Sequence, residues 1–220
     1  MSSKYPKTLG RIEAVWNKLG GEEGVDKFLR DELAVSEPAS GGLLFTTKSG
    51  IGVFDFEDHF KFKSSPTDGT TGEDWITRLE SKGFRVSDYA KQVLRSPDFK
   101  PTNGVTTEVV VLKGMFFEDK DRITKKIRVE ADKRKLSKPN AELACLIREN
   151  FTDKEIEQMG LWYIIAMHEP INDSAGDPFL LSADCSDDGR WLCTCSGRPG
   201  SRWRRDDGFA FAVSQVSSQS

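Results

Sequence analysis

Two groups of residues in this 220-residue chain carry the chemistry to act on a ligand. The first is His168, Glu169 and Asp173, with Asp177 close behind. An imidazole beside carboxylates can take up a proton as a general base or help to hold a divalent ion, as hydrolases and nucleases require. The second group is basic. Arg190, Arg198, Arg202, Arg204 and Arg205 follow one another with no acid between the first and the last, interleaved with Trp191 and Trp203. Guanidinium forks suit phosphates, and aromatic rings between them can stack on unpaired bases. A further basic run extends from Lys120 to Lys138 and includes Lys125, Lys126 and Arg128, offset only by Asp121, Glu130 and Asp132.

Other site chemistries find less to work with. Of the four cysteines, Cys145, Cys185, Cys193 and Cys195, the only close pair is Cys193-x-Cys195, not the Cys-x2-Cys turn that brings two thiolates to one zinc ion. Free, buried thiols are expected, with no metal and no cofactor. There is no His-Glu-x-x-His, no Gly-x-Ser-x-Gly, no lysine-bearing phosphate loop and no dinucleotide fingerprint.

Two readings remain. The preferred one is a non-enzymatic binding or regulatory protein that meets an anionic partner, nucleic acid or acidic protein, through Arg190, Arg202, Arg204, Lys125, Lys126 and Arg128. The alternative is a hydrolase assisted by His168, Glu169 and Asp173 or dependent on a divalent metal. A formal net charge of -3 argues against coating nucleic acid with the whole surface, but leaves local patches open. No apolar run is long enough to cross a bilayer and the N-terminus lacks an apolar signal core, so a cytoplasmic protein with no membrane partner is expected. Oligomeric state leaves no mark on the sequence.

The elements that must position these groups are organised around Leu161 to Met167. Seven apolar or aromatic residues without a polar face need cover on both sides, which predicts a central strand. Upstream, Trp75, Ile76 and Leu79 predict a short helix. Ser87 caps a second through Leu94, and Thr152-Asp-Lys-Glu155 is a capping box. Ile123, Ile127 and Ala131 give the basic run a narrow apolar seam, as on a surface helix. Turn residues at Asp187 to Gly189, Arg198 to Gly200 and Asp206 to Gly208 predict an antiparallel C-terminal meander with Trp191, Trp203, Phe209, Phe211 and Val213 on one face. The expected fold class is α+β: helices packed on a mainly antiparallel sheet, a C-terminal β-meander and an N-terminal helical hairpin from Thr8 to Leu33. Residues 1–63 would form the hairpin with an aromatic strand region, and residues 73–216 the larger domain.

The segments Asn17-Lys-Leu-Gly-Gly21 to Leu33, Gly160-Leu-Trp162, His168-Glu-Pro-Ile171 and Gly189-Arg-Trp-Leu192 to Val216 resemble those of a family of uncharacterised bacterial proteins. The resemblance implies a bacterial cytosolic protein. It transfers no activity, catalytic residue or binding residue.

Overall fold

Asp207, Gly208, Phe209, Ala210 and Phe211 are all buried. Five successive buried residues send side chains to both faces of a strand, so that strand needs partners on both edges and cover above and below. This requirement sets the architecture. The computed structural model describes residues 42–186 and 189–213, and the expected N-terminal helical hairpin lies outside them.

Among the described residues there are eleven strands and five short helices. The strands are β1 (Leu43–Thr46), β2 (Gly52–Asp55), β3 (His59–Lys63), β4 (Arg85–Val86), β5 (Glu108–Lys113), β6 (Leu136–Ser137), β7 (Tyr163–Ala166), β8 (Ile171–Asn172), β9 (Pro178–Ser186), β10 (Gly189–Ser196) and β11 (Asp207–Val213). The helices are α1 (Gly72–Ser81), α2 (Asp88–Arg95), α3 (Thr124–Lys133), α4 (Glu142–Asn150) and α5 (Asp153–Gln158). All the strands join one sheet in the order β1-β2-β3-β5-β11-β7-β9-β10-β4, with β6 paired to β11 and β8 to β9.

The expected α+β architecture is therefore corrected. One large mixed sheet dominates, the helices are minor, and the C-terminal meander does not form. Strand β11 runs antiparallel to β5 and parallel to β7, while β10 lies on the far side of β9. The turn residues at Arg198 to Gly200 and Asp206 to Gly208 had predicted hairpins. Instead, residues 197–206 are one crossover that carries the chain from β10 past β9 and β7, because only an interior slot can bury both faces of β11.

Strand β7, shorter than the expected Leu161 to Met167, lies inside the sheet between β11 and β9, with Ile164, Ile165 and Ala166 fully buried and Met167 buried just beyond its end. The two faces are covered unequally. Helices α1, α2 and α4 pack one side through Trp75, Leu79, Ala90, Val93, Ala144 and Cys145. On the other, Ile127 and Ala131 of α3 meet Leu112, Ile165, Phe209 and Phe211. Local signals start α1, α2 and α5, the last two at the caps that the sequence predicts. Thr71 Oγ1 accepts from Asp74 N at the head of α1, Ser87 Oγ from Ala90 N at the head of α2, and Thr152 and Glu155 form a complete capping box at α5.

Candidate anion-binding surface

Helix α3 has no capping side chain, because Ile123 holds its N-cap position. The first N–H groups of a helix have no partner within it and must find acceptors elsewhere. Here the crossover supplies them. Thr124 N donates to Ser201 O at 3.1 Å and Lys125 N to Pro199 O at 2.9 Å. In return, Trp203 N donates to Arg122 O at 3.0 Å, and Ile123 and Arg202 form a β-bridge. The two basic stretches, about 75 residues apart in sequence, are thereby joined along one seam.

Alternation along the crossover sorts its side chains. Trp203 turns inward: its Nε1 donates to Thr124 Oγ1 at 3.0 Å and its ring packs edge-on against Phe209 at 5.6 Å. Arg202, Arg204 and Arg205 are exposed, as is Lys125 beside them. None of these four makes an ion pair with a described residue. The neighbouring acids are mostly matched: Glu118 pairs with Lys120, Asp119 with Arg122 and Asp121 with Lys126. Arg198 pairs with Asp177. The crossover is pinned at its end by Asp207, whose Oδ2 accepts from Arg204 N at 2.7 Å. Burial pushes the Asp207 carboxyl up to about 6, against that hydrogen bond and the charges of Arg204 and Arg122.

The other basic residues singled out by sequence do not join this surface. Arg190 lies at the far end of β10, its guanidinium 4.5 Å over the Phe84 ring. Arg128 turns in from α3 and donates from Nη2 to His168 O at 2.9 Å. Its Nε is buried with no hydrogen-bond partner among the described residues, and burial holds its guanidinium below the usual arginine range, although Glu169 and Asp132 oppose the shift. Lys126 is on the surface but occupied by Asp121.

His168, Glu169 and Asp173 serve three separate tasks. The His168 ring is buried, Nδ1 sits 2.6 Å from Glu169 O, and Nε2 accepts from Leu181 N at 3.0 Å. A carbonyl only accepts, so Nδ1 carries the proton and neither nitrogen is free for a substrate. The Glu169 carboxylate is exposed and paired with Lys138. Asp173 Oδ1 closes a turn by accepting from Ala175 N and Asp177 N, each at 2.9 Å. His168 and Glu169 border a cleft of about 470 Å³ with Asp98, Lys100 and Asn140, whereas Asp173 does not. Cys193 and Cys195 share one face of β10, and Cys185 points to the opposite face of the sheet. No group of three or more His, Cys, Asp or Glu among the described residues could hold a metal ion.

Burial pushes His168 down to about 4 from 6.5, with the Arg128 charge adding and the bond to Glu169 opposing. A base whose folded pKa is depressed contributes stability that is complete above the unfolded pKa and is lost as pH falls toward the folded one. The loss between pH 6.5 and 4 should be on the order of 3 kcal/mol. Asp207 acts in the opposite sense over part of this range, since its raised pKa adds stability as pH falls below about 6. The two are separated with a His168→Gln variant. Urea melts from pH 7 to 4.5 should show wild type losing stability relative to the variant; a constant difference between them would contradict a buried neutral imidazole.

Sequence reasoning overlooked three exposed apolar residues at this surface. Met115 and Phe116 follow β5, Trp162 precedes β7 and Arg204 to Asp206 precede β11. Because β7 and β11 are parallel and β5 runs against them, all three junctions fall at the same end of the sheet. Trp162 N donates to Asp206 O at 2.9 Å, and Arg122 Nε to Gly114 O at 3.0 Å. The exposed position of Trp162, at the head of a wholly apolar run, was the available signal.

Among the described residues no helix is long and apolar enough to cross a membrane. The chain matches no family model, no curated protein and no solved structure.

Proposed function

We propose that the protein binds an anionic partner through the seam between α3 and the crossover, with Lys125, Arg202, Arg204 and Arg205 as the contacting cations. The observation that carries this reading is the pair of hydrogen bonds from Thr124 N and Lys125 N to Ser201 O and Pro199 O, which merges two remote basic stretches. Four cations without an ion pair to any described residue, on a backbone held by the sheet, need no such pair broken before they meet a polyanion, and only their side chains are left to be ordered on binding. The hydrolase alternative gains no support, since both His168 nitrogens are committed to backbone groups.

The test is retention on immobilised heparin and its dependence on salt. Wild type should be retained at about 50 mM salt and released as salt rises, because counterion release weakens phosphate-type contacts. The Arg202→Ala/Arg204→Ala/Arg205→Ala variant should elute earlier and, against a single-stranded polyanion, show a log-log salt slope reduced by about 2. A wild-type protein that flows through heparin at low salt would end this reading.

A further inference from the structure

We infer that the anionic partner is single-stranded nucleic acid, with bases stacking on Trp162 and Phe116 while phosphates meet Arg204 and Arg205. The inference rests on the proposed function and specifies its ligand.

Trp162 is 42% and Phe116 47% exposed. Neither ring has an aromatic or cationic partner among the described residues, whereas Trp191 and Trp203, the two offered for stacking from the sequence, are both engaged. Trp203 packs on Phe209, and Trp191 lies under the Arg85 guanidinium at 5.2 Å. The free rings follow β5 and precede β7, and β11 with its two arginines lies between them. Two strand spacings set the junctions roughly 10 Å apart, far enough for the rings to serve different bases of one strand.

Charge alone would allow several polyanions, and the apolar groups decide among them. A duplex hides the faces of its bases and is read by an element inserted into a groove. Helix α3, the only helix on this surface among the described residues, is poorly equipped for that, since Lys126 pairs with Asp121, Lys133 with Glu130, and Arg134, just past its end, with both Glu130 and Asp58. An acidic peptide would satisfy the arginines but has no flat faces to cover two exposed rings. Unpaired bases offer flat faces and phosphates together, at the alternation of aromatic and arginine found here.

Binding is measured by fluorescence anisotropy with a labelled 20-nucleotide oligouridylate and with a duplex of the same length, beside heparin elution. Wild type should bind the single strand at least tenfold more tightly than the duplex. Trp162→Ala and Phe116→Ala should each weaken single-strand binding about tenfold, the loss of one stacked base, and leave heparin elution unchanged. Trp162→Phe keeps an aromatic face and should keep most of the affinity, which separates stacking from misfolding. Arg204→Ala/Arg205→Ala should weaken every polyanion. Equal affinity for single strand and duplex, or single-strand binding indifferent to both ring substitutions, would overturn the inference while heparin retention upheld the proposed function. Loss of heparin and single-strand binding alike in wild type would overturn both.

Discussion

Replacement of Arg148 by alanine is expected to destabilise the protein by on the order of 3–5 kcal/mol, the cost of dismantling a buried charged network. The side chain is fully buried in α4. Its guanidinium donates to Asp184 O at 2.8 Å and to Phe151 O at 2.7 Å, and lies 5.3 Å from the Phe84 ring centre. Asp153 Oδ1 is 2.8 Å from Nη2 but not aligned as a hydrogen bond, so it acts as a charge contact. Phe151 follows the end of α4, so one of these bonds satisfies a carbonyl left over where the helix stops. The other ties that corner to β9. Alanine would take both guanidinium donors away from these buried carbonyls and leave a cavity, while Asp153, whose side chain is 30% exposed, can recover water. Arg148→Met fills the space but donates nothing, and should fall between wild type and alanine. Urea denaturation checks the order; a loss below about 1 kcal/mol for alanine would show that the network contributes little.

Gly114→Ala is expected to cost about 3 kcal/mol, at the upper end of overpacking effects, and to weaken anion binding in the same step. A Cβ on Gly114 would stand 2.6 Å from Arg204 O, 2.7 Å from Asp207 O and 3.1 Å from Arg205 O. These are backbone atoms and cannot swing aside as a flexible side chain would. The end of the crossover must therefore lift, carrying Arg204 and Arg205 with it and stretching the bond from Arg204 N to Asp207. The expected result is a lower melting temperature together with earlier elution from heparin. Wild-type behaviour on both counts would mean that the crossover is not seated on the turn after β5.

How much of this could be read from the chain depended on the range of the determining interactions. Strand β7 was legible because an apolar run without a polar face has one stable environment. The starts of α2 and α5 were legible from hydroxyl caps acting across three residues, whereas α1 was legible from Trp75, Ile76 and Leu79 and its Thr71 cap was not read. The basic helix was half legible. Ile127 and Ala131 make the apolar seam, but the helix begins only at Thr124, where acceptors from residues 199 and 201 cap it. No local pattern announces a cap supplied from 75 residues away.

The placement of β11 was misread for the same reason. Its flanking turn residues are those of a hairpin, and only the burial of Phe209 and Phe211 on one side with Gly208 and Ala210 on the other demands an interior slot. With residues 201–205 read as a strand between β10 and β11, Arg190 was grouped with Arg202 and Arg204, and Trp162 and Phe116 had no reason to approach the arginines. His168 carried an ambiguity of another kind. A histidine followed by an acid reads as chemistry, yet both ring nitrogens hold backbone groups where β7 passes β9.

Among the described residues, strand β11 is the sole link between two half-sheets, β1-β2-β3-β5 on one side and β7-β9-β10-β4 on the other. During synthesis both halves leave the ribosome before it does. Until residues 207–213 clear the exit tunnel, β5 and β7 present bare edges of Val, Leu and Ile to solvent, each able to pair with a stray strand. The nascent chain is thus most exposed to mispairing just before residues 207–213 emerge, and a holding chaperone would matter most in that interval.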